Sequence, residues 1–167
     1  MNAINNALHS CNKHKYSLLY YMTNKCPYTL FFDGCSKGNP GPSGIGAVIY
    51  EISKNTNSFI ELWAGSKFLS NSATNNQSEY NALIMGLTKA LELNISLLDV
   101  YGDSLLVIQQ TNGKYKVSNA GLLPLHQKVM ELKKQFQNIT FTHIPREKNV
   151  RADYLSNVGL KECLQMS

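Results

Sequence analysis

The chain has 167 residues and a formal charge of +5, from 16 Lys and Arg against 11 Asp and Glu. This length favours a single domain, and the excess of positive charge favours a polyanionic partner without naming one. No apolar run approaches the roughly 18 residues of a membrane span. We therefore expect no membrane contact and an intracellular location, in cytoplasm or nucleus, with an organelle or viral origin left open.

Residues 1–27 form a predicted N-terminal extension to a domain that spans residues 28–164. The extension contains Lys13, Lys15 and Lys25 but no acid, and it lacks the apolar core and cleavage site of a secretory signal. Three interpretations stay open: a disordered segment, a tether for a partner, or an untranslated stretch before a start at Met22. The cysteines have no C-x-x-C or zinc-site spacing, which favours reduced thiols.

The domain begins with three predicted strands. TLFFD is a short buried strand that stops at Gly34, and IGAVIYEI and FIELWAGSKF form a hairpin around the turn SKNTNS. Residues 77–93 then change to helical spacing, with Asn75, Asn76 and Ser78 available as caps.

The second half alternates strands and helices. LLDVY is a buried strand, and Asp103 is positioned to cap the helix that follows it. Gly121 and Pro124 introduce another helix, NITFTH is the last strand, and residues 150–163 form the last helix. This order predicts an α/β fold with a mixed sheet, in which the strands before Asp33 and Asp103 lie side by side.

Four acids stand out because each lies at a predicted element end, among small and amide residues. They are Asp33, Glu79, Asp103 and Asp153. Any one of them alone is typical of a turn, a cap, a first-turn acid or a solvated helix face. Together they are what a shared cation site requires, and Mg²⁺ prefers such hard oxygen ligands.

Four segments resemble the motif blocks of type 1 ribonuclease H, in their usual order. They are FDGCSKGNPGPSGIGAV, TNNQSEYNAL, VYGDSLLVIQQ and HIPREKNVRADYLSN, within about residues 29–160. The resemblance implies a ribonuclease H-like fold: a mixed five-stranded sheet, three antiparallel strands then parallel ones, flanked by helices. It also implies an endonuclease that cuts the RNA strand of an RNA/DNA hybrid, leaving 5′-phosphate and 3′-hydroxyl ends.

By the same resemblance, the four acids are the catalytic, metal-binding carboxylates for two Mg²⁺ ions, with Mn²⁺ as an alternative. Two-metal chemistry needs no side-chain nucleophile. We expect Asp33 to bridge the ions, Glu79 and Asp103 to hold the first, and Asp153 to hold the second.

His143 and Arg146 precede the last acid and are candidate catalytic residues. The family uses a His here, whereas the sequence HIPRE allows Arg146 to take that role. A His can move protons and an Arg can hold a phosphate. The alternatives are that His143 ends a strand and that Arg146 pairs with a surface acid.

Four amide residues flank the acids and are candidate contacts to the minor groove of the hybrid: Asn39, Asn75, Asn76 and Gln77. The 2′-hydroxyl distinguishes RNA from DNA at such sites. For Asn75 and Asn76 the alternative role is helix capping. GNPGPSGIG lacks the Lys-Ser/Thr ending of a phosphate loop, so we expect no organic cofactor.

Two alternative functions share this fold. A binding module that no longer cuts would have lost at least one acid, and none is lost. A nuclease portion detached from a reverse transcriptase or a related transposon or viral protein would need its polymerase partner. We favour a stand-alone monomeric nuclease.

Overall fold

The computed structural model describes residues 26–53 and 56–165, with side chains described as far as residue 162. The predicted extension therefore lies outside the described residues, except for Cys26 and Pro27. Its assignment as a separate segment stays a prediction.

Five strands and four α-helices make up the described chain. The strands are β1 (Tyr28–Ser36), β2 (Gly41–Ile52), β3 (Phe59–Ala73), β4 (Leu97–Gly102) and β5 (Asn138–His143). The helices are α1 (Asn75–Glu92), α2 (Leu105–Thr111), α3 (Leu123–Lys133) and α4 (Val150–Gln165), and a 3₁₀ turn, Arg146–Lys148, precedes α4.

The strands form one mixed sheet in the order β3-β2-β1-β4-β5. Strand β2 is antiparallel to β1 and β3, whereas β4 is parallel to β1 and β5. The prediction of a mixed five-stranded sheet flanked by helices is confirmed. Strands β1 and β3 are longer than predicted, because β1 continues through Gly34 to Ser36 and β3 continues to Ala73.

Helices cover both faces of the sheet. Successive residues of a strand face opposite sides, so Leu30 and Phe32 of β1 pack on the α1 side while Phe31 packs on the α4 side. The α1 side contains the larger core, with Tyr80, Leu83 and Leu87 of α1. Helices α2 and α3 pack against α1 and extend this core. Within the described chain, no helix combines the length and apolarity that crossing a bilayer requires.

Two predicted helix caps are wrong. The N-cap of α1 is Thr74, whose hydroxyl accepts a hydrogen bond from Gln77 N while the Gln77 side chain accepts one from Thr74 N. This reciprocal pair is a capping box, and it leaves Asn75 and Asn76 inside the first turn. The N-cap of α2 is Ser104, not Asp103, because the Ser104 hydroxyl accepts from Val107 N. Asp103 is thereby free of a capping role.

Candidate active site

Asp33 and Asp103 lie side by side because of the parallel register of β1 and β4. Phe32 pairs with Gly102 in this register, and the residue that follows each of them along the chain is an acid. Asp33 lies within β1 rather than at its end, where it is only 3% exposed. The predicted juxtaposition of the two strands is confirmed.

Glu79 approaches Asp33 and Asp103 from the first turns of α1, where the helix lies directly against β1. Gly34 makes this approach possible, since a Cβ added there would lie 2.2 Å from Ser78 C and 2.3 Å from Glu79 N. Gly34 N also donates a hydrogen bond of 3.2 Å to Glu79 Oε2. The Glu79 side chain therefore faces the sheet and is buried, at 5% exposure.

These three carboxylates form a cluster that suits a divalent cation. Asp33, Glu79 and Asp103 each offer an oxygen, and these oxygens all lie within 4.8 Å of one another. Oxygens that share one Mg²⁺ at 2.0–2.1 Å lie roughly 3–4 Å apart, so small side-chain rotations would close the set around an ion. The donor set consists of hard oxygen ligands, which fits Mg²⁺ and Mn²⁺.

The electrostatics of the cluster favour the binding of positive charge. The pKa of Asp33 is raised to about 6, chiefly by burial; the hydrogen bond from Ser156 lowers this pKa, and the charges of Asp103 and Asp153 raise it. Burial likewise raises the pKa of Glu79, and Asp33 and Asp103 add to the effect. Desolvated like charges at close range favour either a proton or a cation.

Asp153 approaches the cluster from α4. Its charge raises the pKa of Asp33, so the two carboxylates interact. Arg146 Nη2 donates a hydrogen bond to Asp153 Oδ1, and the Arg146 side chain is 72% exposed. The structure thus brings together three of the predicted acids within 4.8 Å and adds Asp153 beside them, paired with Arg146.

His143 and Arg146 occupy different positions at the site. His143 ends β5 and is exposed, and its Nε2 lies 3.2 Å from the backbone oxygen of Asp103. Arg146 contacts the Asp153 carboxylate directly, and its charge lowers the pKa values of Asp33 and Glu79. Each residue also fits its alternative role, as a strand end and as the partner of an acid.

The predicted amide residues gather where the loop after β1 meets the start of α1. Asn39 Oδ1 accepts a hydrogen bond of 3.1 Å from Asn75 N, so the two residues are adjacent. Asn39, Asn75 and Asn76 are exposed. Gln77 is partly buried and its side-chain oxygen belongs to the capping box, which leaves its amide nitrogen as the group able to contact a ligand.

Three polar residues of the α4 segment contact the acids and were not predicted from the sequence; Asn157 donates to Asp153 Oδ2 at 3.4 Å, and the other two are buried. Asn149 Nδ2 donates to Asp103 Oδ1, and Ser156 Oγ donates to Asp33 Oδ2. Both residues are fully enclosed, with 1% and 0% exposure. Both lie in the motif block around Asp153, but no local pattern indicates which distant side chain either one reaches.

Known proteins resemble the chain in sequence and in fold. Residues 31–159 match the family model described as "Reverse transcriptase-like". A bifunctional protein of Mycobacterium tuberculosis is 39% identical over 133 residues, which are 80% of this chain and 35% of that protein. A ribonuclease H of Dechloromonas aromatica is 32% identical over 155 residues, covering 84% of this chain and 98% of that protein.

One solved structure, LC11-RNase H1 in complex with an RNA/DNA hybrid, superposes with a TM-score of 0.72 at 36% identity. The match covers 82% of this chain and 99% of that one. The chain spans only about a third of the mycobacterial relative, but nearly all of the ribonuclease H from Dechloromonas. The family predicted from the four motif blocks is therefore confirmed, and the chain belongs to the type 1 ribonuclease H family.

Proposed function

We propose that this chain is an endonuclease that hydrolyses the RNA strand of RNA/DNA hybrids and leaves 5′-phosphate and 3′-hydroxyl ends. The observation that carries the proposal is the cluster of Asp33, Glu79 and Asp103, whose oxygens lie within 4.8 Å of one another. Relatives named ribonuclease H and a related enzyme solved with an RNA/DNA hybrid support the substrate class.

The four carboxylates would hold two divalent cations. Asp33 lies on the central strand of the sheet, and its charge interacts with those of both Asp103 and Asp153. It is therefore the residue that can bridge two ions, with Glu79 and Asp103 on the first and Asp153 on the second. When bound, two such cations lower the pKa of an attacking water and neutralise charge on the leaving oxygen.

The protein's own part is to position charge. Buried carboxylates at close range are held in place before any ion arrives, so little reorganisation is needed on binding. Arg146 would release Asp153 to the second ion and then face the scissile phosphate, which a guanidinium can hold in a two-pronged contact. His143 at the end of β5 would serve as a proton carrier near Asp103.

Recognition of the hybrid would use the exposed amides beside the cluster. Asn39, Asn75 and Asn76 would offer donors and acceptors to the minor groove of the hybrid, where the 2′-hydroxyl distinguishes the RNA strand. The amide nitrogen of Gln77 adds one donor at the same edge. The positive net charge of +5 favours the phosphate backbone.

The test is a cleavage assay with four labelled substrates in Mg²⁺: an RNA/DNA hybrid, single-stranded RNA, double-stranded RNA and a DNA duplex. We expect cutting of the RNA strand in the hybrid, and its loss with Asp103→Asn or EDTA. Asp99→Asn is the matched control, because Asp99 lies on β4, the strand that ends just before Asp103, and accepts a hydrogen bond from Thr140 outside the cluster. Equal cutting by Asp103→Asn and the wild type would contradict the proposal.

A further inference from the structure

Ser156 makes an unusual contact between the last helix and the central strand. Its hydroxyl donates to Asp33 Oδ2, and its oxygen also lies 2.9 Å from the backbone oxygen of Asp153. Ser156 is 0% exposed and Asp33 is 3% exposed, so water does not compete for this bond. A hydroxyl that meets a buried carboxylate forms a charge-assisted hydrogen bond, which is stronger than a neutral one.

The backbone of α4 is pressed onto the sheet at this residue. A Cβ added to Gly44 would lie 2.2 Å from Ser156 O, and one added to Gly46 would lie 2.4 Å from Ser156 N. Both glycines belong to β2, so strand and helix meet without intervening side chains. From β3, the Ser66 hydroxyl donates a bond of 2.8 Å to Leu155 O. The backbone that carries Ser156 is therefore held closely against the sheet.

The Ser156 hydroxyl has a second possible acceptor besides Asp33. A helical serine commonly donates to a backbone oxygen in the preceding turn, and here the Asp153 oxygen is within reach. At Asp33, by contrast, the hydroxyl fixes the rotation of the carboxylate and occupies one side of Oδ2. The same carboxylate offers an oxygen that lies within 4.8 Å of oxygens of Glu79 and Asp103.

We propose that Ser156 is a positioning residue that holds the Asp33 carboxylate in the orientation required for divalent-cation binding. This inference rests on the proposed function, since it concerns the same cluster. A residue that orients a metal ligand typically contributes 10- to 100-fold to metal affinity or activity. We expect Ser156→Ala to weaken Mg²⁺ binding about tenfold and to leave the KM for the hybrid within about twofold of wild type.

The test measures Mg²⁺ binding directly on the 167-residue chain. Calorimetric titration with Mg²⁺ and the KM and kcat for the hybrid are compared for wild type, Ser156→Ala and Ser66→Ala. Ser66→Ala is the matched control, because it removes a serine bond to the same helix without touching a carboxylate. We expect it to bind Mg²⁺ as the wild type does. Ser156→Cys, which keeps a weak donor, should fall between wild type and Ser156→Ala.

The outcomes separate the two proposals. Wild-type Mg²⁺ affinity in Ser156→Ala, or the same loss in Ser66→Ala, would overturn the role of Ser156 while leaving hybrid cleavage by the wild type intact. If Ser156→Ala does not fold, the Ser156→Cys titration decides by the same criterion. A wild-type chain that neither binds Mg²⁺ nor cuts the hybrid would overturn the proposed function, and this inference with it.

Discussion

Asn149 Nδ2 donates a hydrogen bond of 2.7 Å to Asp103 Oδ1, and the same nitrogen donates one of 2.8 Å to Phe32 O. Asn149 thereby joins the start of α4 to the residue before Asp33 and to Asp103 itself. Both of its contacts are acceptors, which fixes the amide orientation. Its Oδ1 is buried without a hydrogen-bond partner among the described protein atoms, so the side chain is held by its donors alone.

Replacing Asn149 with Ala should reduce both stability and activity. The substitution leaves a buried carbonyl and a carboxylate without their donor, which costs roughly 2–3 kcal/mol in the free energy of unfolding. It also releases Asp103, so kcat should fall at least about tenfold. Urea unfolding and steady-state kinetics measure the two effects.

Asn112→Ala is the matched control for this prediction. Asn112 Nδ2 also donates to a strand carbonyl, Phe141 O, at 3.0 Å, but it contacts no acid of the cluster. We expect Asn112→Ala to lower stability with little change in kcat. A parallel loss of kcat in both variants would show that Asn149 acts on activity only through stability.

The metal-free protein should be less stable at pH 7 than at pH 5. The pKa of Asp33 rises from 3.8 to about 6 on folding, so between these values the folded state binds more protons than the unfolded chain. The free energy of unfolding then falls as pH rises through this window. The raised pKa of Glu79 acts in the same direction.

Asp33→Asn should remove much of this pH dependence and stabilise the metal-free protein at pH 7, by on the order of 2 kcal/mol, while abolishing cleavage. Denaturant unfolding in EDTA at pH 5 and pH 7 measures the change. Glu131→Gln, an exposed acid-to-amide change on α3, should stay within about 0.5 kcal/mol of wild type. An increase in wild-type stability from pH 5 to pH 7 would contradict the prediction.

Local patterns predicted the mixed sheet, whereas the role of the four acids was predicted from the resemblance of four motif blocks and stays a prediction. Strand periodicity and turn residues defined β1 to β3, and the apolar stretches that end at Asp33 and Asp103 put both acids at one edge of a parallel pair. The capping box at Thr74 and Gln77 was also readable, since Ser/Thr followed three residues later by Glu/Gln is its pattern. Asn75 and Asn76 are also favourable N-cap residues, so residue type alone did not select Thr74.

The contacts of Asn149 and Ser156 could not be predicted in this way. Each depends on the distance between α4 and the sheet, which the glycines of β2 decide through backbone packing. The hydrogen bonds link residues 46 and 123 positions apart in the chain. No local spacing in the sequence encodes the distance between α4 and the sheet. In the sequence, Asn149 and Ser156 therefore resemble ordinary polar residues of a helix.

Arg146 should compete with the metal for Asp153. Because the Arg146 side chain is 72% exposed, Arg146→Ala should change the free energy of unfolding by less than about 1 kcal/mol. Loss of an ion pair worth at most about 1 kcal/mol would lower the Mg²⁺ concentration for half-maximal cleavage in Arg146→Ala by at most about fivefold. Cleavage rates measured across a Mg²⁺ series test this expectation.

Arg151→Ala provides the control for Arg146, since Arg151 lies in α4, just after the turn that contains Arg146, and pairs with Glu61 instead of an acid of the cluster. Its Mg²⁺ dependence should match wild type. His143→Ala should also leave the Mg²⁺ dependence unchanged, because His143 contacts a backbone oxygen rather than a carboxylate. A higher Mg²⁺ requirement in Arg146→Ala would mean that Arg146 supports metal binding instead of opposing it.

Gly34 should tolerate no side chain. A Cβ there would overlap the backbone of α1 at Ser78 and Glu79, and backbone atoms cannot rotate away as a side chain can. Gly34→Ala should therefore push α1 from β1, break the bond between Gly34 N and Glu79 Oε2, and destabilise the fold by about 2–3 kcal/mol. Because Glu79 moves with the helix, cleavage should fall more steeply than stability alone explains. Gly86→Ala is the control, since Gly86 lies on the same helix and its added Cβ would meet only side-chain atoms of Leu30. It should lower stability without the additional loss of cleavage. Wild-type cleavage and unfolding in Gly34→Ala would mean that α1 can shift without displacing Glu79 from the cluster.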